Sequence, residues 1–218
     1  MSSLAIIHTT PLTIQVLTPL ASELLPNCEL MNFLDDTILP ELRKNGGDLT
    51  AVAPRWLQYA AFAEHVGADC ILSACSSVGP LVERASGRVP IVRIDEPMAE
   101  LAIERGQEIG VAATLPTTLN PTTELLRHKA KRAGKSIRLT PVVVDEAYRR
   151  LLKGDKAGHD EILSEKLLYL AESTDVVLLA QASMAQVVET LPEHLQAKFL
   201  TSPRLGLLYA RQVMEGLA

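Results

Sequence analysis

Ile6-Ile7-His8-Thr9-Thr10-Pro11 reads as the end of a buried strand running directly into a helix. The β-branched apolar pair suits a pleated interior. Thr10 is a residue type that caps a helix, and Pro11 suits the first helical position, where its missing N–H is no loss. The same pattern recurs as Val111-Ala112-Ala113-Thr114-Leu115-Pro116, which places Pro116 105 positions after Pro11. A second stretch, Ile71-Leu72-Ser73-Ala74-Cys75-Ser76-Ser77, is matched by Val177-Leu178-Leu179-Ala180-Gln181-Ala182-Ser183, with Cys75 and Gln181 106 apart. Ile94-Asp95-Glu96-Pro97 lies opposite Leu200-Thr201-Ser202-Pro203 at the same offset of 106. Small residues after a buried strand are common, so each match alone is weak. Their agreement predicts a duplication: two similar halves.

Working outward, eight short apolar runs alternate with helix-period stretches. The predicted strands are Leu4 to Ile7, Glu29 to Phe33, Ala68 to Ser73 and Val89 to Ile94, then Glu108 to Ala113, Ile137 to Val144, Val176 to Ala180 and Lys198 to Leu200. Helices are predicted from Leu12 to Leu25, from Pro54 to about Val66, from Glu161 to Glu172, and from Ser202-Pro203 to the C-terminus. Strands separated by helices imply parallel pairing with right-handed crossovers, hence an α/β fold of two pseudo-symmetric four-stranded parallel sheets with flanking helices. The halves are expected at 1–97 and 98–218, with the last helix, 203–217, packing back on the N-terminal half.

Composition bounds the function. The 218 residues are 47% apolar and 22% charged, as expected of a globular protein rather than a disordered or fibrous one. A net charge of -5 disfavours nucleic acid, and the basic cluster from Arg127 to Arg138 reads as a solvated helix and turn. Three cysteines at 28, 70 and 75 with no Cys-x-x-Cys give neither a disulfide framework nor a zinc site. The N-terminal residues do not read as a signal peptide, and no apolar run is long enough to span a membrane. The expectation is a cytoplasmic protein without a membrane or nucleic-acid partner, and the sequence leaves a homo-oligomer open. Nucleotide-binding glycine motifs are missing.

In an open parallel sheet, ligands bind beyond the carboxyl ends of the strands. Those ends here carry His8-Thr9-Thr10, Asp35-Asp36, Cys75-Ser76-Ser77, Asp95-Glu96, Thr114, Asp145-Glu146, Gln181-Ala182-Ser183 and Thr201-Ser202. Two halves with these ends facing would form one cleft, where the site is expected. Cys75 is the leading candidate: it precedes an expected helix N-terminus, where free N–H groups favour an anion, and such a position can bring a thiol near neutrality. Its alternative is a small buried hydrophobe, the reading preferred for Cys28 and Cys70. Thr9, Thr10, Ser76, Ser77, Thr114 and Ser183 offer hydroxyls for a carboxylate or an enolate oxygen, or simply cap helices. Gln181 does not titrate but can orient a substrate oxygen or a water. His8, alone among the five histidines at a strand end, suits proton transfer or a satisfied structural role. His65, His128, His159 and His194 are expected at the surface. The three acidic pairs read as helix caps rather than metal ligands.

The strand-and-threonine start, Ala74-Cys75-Ser76-Ser77, Gly110-Val111-Ala112-Ala113-Thr114, Leu179-Ala180-Gln181-Ala182-Ser183-Met184 and Ser202-Pro203-Arg204-Leu205-Gly206 together resemble the aspartate/glutamate/hydantoin racemase superfamily. The resemblance implies two α/β halves, a cofactor-independent and metal-free site, and chemistry at a carbon next to a carboxyl or carbonyl of a small acid. It also implies two cysteines, one from each half, as acid and base. Cys75 fills the first position and Gln181 the second, so this chain departs from the two-thiol pattern. Three readings follow. The first is an isomerase of racemase or epimerase type with Cys75 as acid/base and His8 or a Gln181-held water on the other face. The second is a one-sided decarboxylase of malonate-type or β-oxo acids. The third is a carboxylate-binding relative without chemistry.

Overall fold

The computed structural model describes residues 2–216. Its chain divides into two compact units, Met1–Glu96 with Pro203–Ala218, and Pro97–Ser202.

The first unit contains β1 (Ser2–His8), α1 (Pro11–Leu24), β2 (Cys28–Leu34), α2 (Ile38–Lys44), α3 (Ala53–His65), β3 (Cys70–Ser73), a 3-10 segment (Ser76–Arg84) and β4 (Ile91–Arg93). Its sheet has the order β2-β1-β3-β4, all pairs parallel. The alternation of β-strand side chains decides which layer each residue joins. Leu4, Ile6, Cys70, Leu72, Val92 and Ile94 face one side, against Leu17, Ala21 and Leu24 of α1 and against Leu207 and Ala210 near the chain's end. Ala5, Ile7 and Ile71 face the other, against Ile38 and Leu42 of α2, Trp56, Ala60 and Ala63 of α3, and Val78 and Leu81 of the 3-10 segment.

The second unit repeats the plan. It contains α4 (Glu96–Arg105), β5 (Glu108–Ala113), α5 (Pro116–Arg132), β6 (Arg138–Val143), α6 (Asp145–Leu152), α7 (Lys156–Ser173), β7 (Val176–Leu179), a 3-10 segment (Ala182–Thr190), α8 (Glu193–Gln196) and β8 (Phe199–Thr201), before α9 (Ser202–Met214). Its sheet runs β6-β5-β7-β8, again all parallel. Strand for strand this is the order of the first sheet. Pro141 is tolerated because β6 is an edge strand. Each unit is completed by a helix that follows the last strand of the other: apart from its first residue, α4 falls in the second unit and α9 in the first.

All eight expected strands are present. The helix starts at Pro11 and Pro116 occupy the positions the repeat gives them: the Thr10 side chain accepts from the Leu12 N–H at 3.4 Å, and each proline opens its helix. Two expectations are corrected. The helix anticipated from Glu161 begins at Lys156, because the Asp155 carboxylate accepts from the Gly158 N–H at 2.9 Å and carries the glycine inside the first turn. That places His159 in the interior rather than at the surface, 2% exposed, with Nδ1 2.7 Å from Asp160. The element following Cys75 is nine residues of 3-10 helix, not α-helix. Pro80 has no N–H to return to Ser76, and Gly79 has poor α-propensity.

Candidate active site

The carboxyl ends of β1 and β3 place His8-Thr9-Thr10 beside Cys75-Ser76-Ser77. Parallel register pairs Ile7 with Ser73, and the Ala74 N–H extends the ladder by donating to the Ile7 carbonyl at 3.0 Å. Thr9 and Cys75 therefore stand level on neighbouring strand ends. Cys75 is half-buried with extended backbone, φ −140° and ψ 116°, and its carbonyl accepts from the Val78 N–H at 3.2 Å to open the 3-10 segment. Ser76 and Ser77 are buried. Thr9 is 1% exposed, and its hydroxyl oxygen has no hydrogen-bond partner among the described residues; the same holds for Ser73, the last residue of β3. Buried hydroxyls without partners are costly and uncommon, so two on adjacent strand ends mark this corner.

Of the two roles its position suggested, the contacts of His8 are those of a satisfied structural residue. It is fully buried, with Nδ1 2.7 Å from the Thr13 hydroxyl and Nε2 2.9 Å from Asn32 Oδ1. Burial lowers its pKa from the ordinary imidazole value, opposed by the hydrogen bond to Asn32. With both ring nitrogens engaged and the neutral form favoured, His8 ties the start of α1 to edge strand β2. Thr10 is likewise occupied as the α1 cap.

The second unit builds the same junction from different side chains. The Ala180 N–H donates to the Ala112 carbonyl at 2.9 Å, and Gln181, φ −130° and ψ 136°, accepts from the Met184 N–H at 3.0 Å. Backbone for backbone, Gln181 is the counterpart of Cys75 and Thr114 that of Thr9. Here the threonine is satisfied: its N–H and its hydroxyl both donate to Gln181 Oε1, at 2.6 and 2.8 Å. Thr114 is buried, while Gln181 and Ser183 are half-buried.

The remaining candidates are held elsewhere. Cys70 lies inside β3, fully buried, and burial pushes its thiol up to about 12; burial also raises Cys28. Asp35 accepts from Thr37 and pairs with Arg55 at 3.3 Å. Asp145 and Glu146 both pair with Arg149, at 3.1 and 3.0 Å. Within the basic cluster, Arg127, Lys129 and Arg138 pair with Glu124, Glu100 and Glu108. Among the described residues no three His, Cys, Asp or Glu converge as metal ligands, and no helix is long and apolar enough to cross a membrane.

One feature of this corner escaped the sequence reading. Asp95 is not simply a cap. It is fully buried and bound to Arg93 through two 3.0 Å hydrogen bonds, and the Arg93 guanidinium lies flat on Gly79 of the 3-10 segment that Cys75 opens. The signal was present: Arg93 ends a strand and Asp95 follows two residues later, a spacing that can bring both side chains to one side of the chain.

Two sheets of identical order, each offering a small polar constellation at the same two strand ends, form a distinctive duplication. The sequence profile of the Asp/Glu/hydantoin racemase family matches residues 7–210. The chain belongs to that family. Membership places it among racemase-type isomerases. Solved structures agree on the fold. Aspartate racemase from Picrophilus torridus is similar with a TM-score of 0.77 at 13% identity, over 99% of this chain and 95% of that one. Allantoin racemase from Klebsiella pneumoniae gives 0.72 at 15%, over 100% and 90%. Glutamate racemase from Francisella tularensis, in complex with D-glutamate, gives 0.74 at 16%, over 99% and 82%. Comparison with curated protein sequences gives no match. This member of the racemase family differs from a two-thiol design at one position: Gln181 stands where duplication would place the second cysteine.

Proposed function

We propose that this racemase-family protein is a cofactor-independent isomerase that moves a proton at the carbon next to a carboxylate or carbonyl of a small acid, with Cys75 as its acid/base. The observation that carries this reading is the half-buried Cys75 at the end of β3, level with the buried and unpartnered Thr9 hydroxyl.

As a thiolate, Cys75 Sγ takes the proton from carbon. The C–H electron pair moves into the adjacent carboxylate or carbonyl as an enolate. A water on the opposite face then gives a proton to the carbon, whose C–H bond re-forms with inverted configuration, and the hydroxide left behind takes the proton from the Cys75 thiol to restore the thiolate. The barrier lies in the enolate, so donors fixed in advance around its oxygens do most of the work. Thr9, Ser76 and Ser77, at the strand ends beside Cys75, supply such donors, and Thr114, Gln181 and Ser183 stand at the matching strand ends of the second unit. Thr10 and His8 support α1 and stay outside the proton path.

A second reading rests on Gln181, whose amide carries no transferable proton near neutrality. With one thiol, the protein would decarboxylate a malonate-type or β-oxo acid. The C–C bond electrons form the enolate, carbon dioxide leaves, and Cys75 delivers a proton to one face.

The test is incubation in deuterated water with a panel of 2-amino, 2-hydroxy and malonate-type acids. Deuterium at the substrate carbon with the wild type, lost in Cys75→Ala, supports the isomerase. Carbon dioxide release with a single product enantiomer supports the decarboxylase. A wild type that neither exchanges nor decarboxylates any acid leaves only a carboxylate-binding protein.

A further inference from the structure

We propose that Thr114 is a positioning residue that holds Gln181 as a hydrogen-bond donor of fixed orientation, and that Gln181 Nε2 anchors a carboxylate or carbonyl oxygen of a small acid bound at the end of β7. This rests on the functional reading above and deepens it by naming what the second unit recognises.

The orientation follows from chemistry. An amide side chain can usually be turned over without visible consequence, because its oxygen and nitrogen are alike in size. Here it cannot. The Thr114 backbone N–H can only donate, and the Gln181 atom facing it at 2.6 Å must therefore be the acceptor, Oε1. The Thr114 hydroxyl donates to the same oxygen at 2.8 Å. Both lone pairs of Oε1 are thereby used, and turning the amide would set an NH₂ against an N–H. The Nε2 group is left directed away from Thr114, and no side chain or carbonyl among the described residues accepts from it.

A donor-only group pinned in this way discriminates. It welcomes the oxygen of a carboxylate, ketone or enolate and rejects an ammonium group, which has only donors to offer. A thiol at the same backbone position could pass a proton; this amide can only hold an oxygen. The replacement therefore exchanges proton transfer for anchoring. The threonine at the equivalent place in the first unit has no such partner, and its hydroxyl remains unpaired.

Malonate, a small dicarboxylate with no amino group, serves as the probe, and binding is read by calorimetry in the Cys75→Ala background so that no turnover intervenes. Gln181→Glu keeps an oxygen for both Thr114 donors but replaces the outward donor by a negative acceptor. Affinity for malonate is expected to fall by more than about tenfold, the scale of a lost hydrogen bond to a charged group. The deficit should shrink as pH falls and the introduced carboxyl regains a proton to donate, which a merely structural defect would not show. Thr114→Val, which removes one of the two donors, should weaken malonate binding several-fold, and Thr114→Ser should restore it. Unchanged affinity in Gln181→Glu overturns the proposal, as does a pH-independent deficit or failure of the parent to bind malonate at tens of millimolar. Deuterium exchange dependent on Cys75 can persist through every one of those failures, so the two proposals fall separately.

Discussion

Gly206→Ala sets two effects of known sign against one another. Gly206 lies inside α9, and replacing a glycine by alanine within a helix normally stabilises it by about 1 kcal/mol. Here the new Cβ would stand 2.7 Å from Ile94 Cγ1, 2.8 Å from the Ile94 carbonyl oxygen and 3.0 Å from the Ile94 Cα. Two of those three atoms are backbone, at the end of β4, so no rotamer change relieves the contact. The helix must back away instead. Doing so loosens Leu207 and Ala210, both 0% exposed, from Leu4, Ile6 and Leu72. Overpacking of this kind costs about 1–3 kcal/mol, commonly more than the helical gain. The expected result is a net change between about zero and a loss of about 2 kcal/mol, read as a lower urea midpoint with an unchanged slope, or a melting temperature lower by up to about 8 °C for a chain of this size. A variant more stable than the wild type by the full helical gain of about 1 kcal/mol would refute the close approach of α9 to β4, and with it the account of how the C-terminal helix completes the first unit.

Two further outcomes follow from buried groups in the same unit. Asp95→Asn strips the partner from Arg93, 5% exposed, and should cost about 3–5 kcal/mol in urea unfolding. Replacing both residues by apolar ones of similar volume should recover most of that loss, so a double variant as unstable as the sum of the two single ones counts against the pairing. His8 is held neutral below its ordinary pKa, whereas in the unfolded chain it protonates near 6.5. Below that pH the unfolded state binds more protons, so stability falls on acidification towards the lowered folded value. His8→Gln, which does not titrate, should show a shallower acid-side loss, the difference reaching at most about 1.4 kcal/mol per pH unit. Identical pH profiles of unfolding free energy for the two proteins would remove His8 from the interior.

The strands were legible because each is short, apolar and bounded by small or polar residues, and the duplication because three separate junctions share nearly one spacing. Helices opened by Thr-Pro or Ser-Pro announced themselves through capping chemistry. The start of α7 did not, since a glycine that looks like a breaker at 158 is held in the first turn by a carboxylate three residues earlier. Nor did the 3-10 geometry after Gln181, where no proline or glycine gives warning. Around the candidate site, Cys75, Thr9, Thr114 and Gln181 could be named from their strand-end positions, but not what each would touch. His8 illustrates the gap. Its neutrality depends on Thr13 and Asn32, and the second of these arrives from another strand, 24 residues away. Arg93 was missed for the opposite reason, because its partner is only two residues on and an acidic pair before a helix already has a simpler explanation as a cap.

The two junctions show how one backbone can carry different chemistry without disturbing the fold. Cys75 and Gln181 both lie past the ends of their ladders; Cys75 packs against the apolar cluster on one face of its sheet and Gln181 belongs to none, so exchanging a thiol for an amide gives up one contact at the rim of a core and leaves the strands' own contacts in place. What the exchange changes is hydrogen bonding. In the second unit, Gln181 Oε1 satisfies both donors of Thr114. In the first, Cys75 offers no comparable acceptor to Thr9, whose buried hydroxyl goes without a partner at a cost of about 1–3 kcal/mol. Unsatisfied groups of that kind tend to persist where something other than the fold requires them. On the reading proposed above, that imbalance is what a substrate oxygen at Thr9 would relieve, whereas Thr114 already has its acceptor in Gln181.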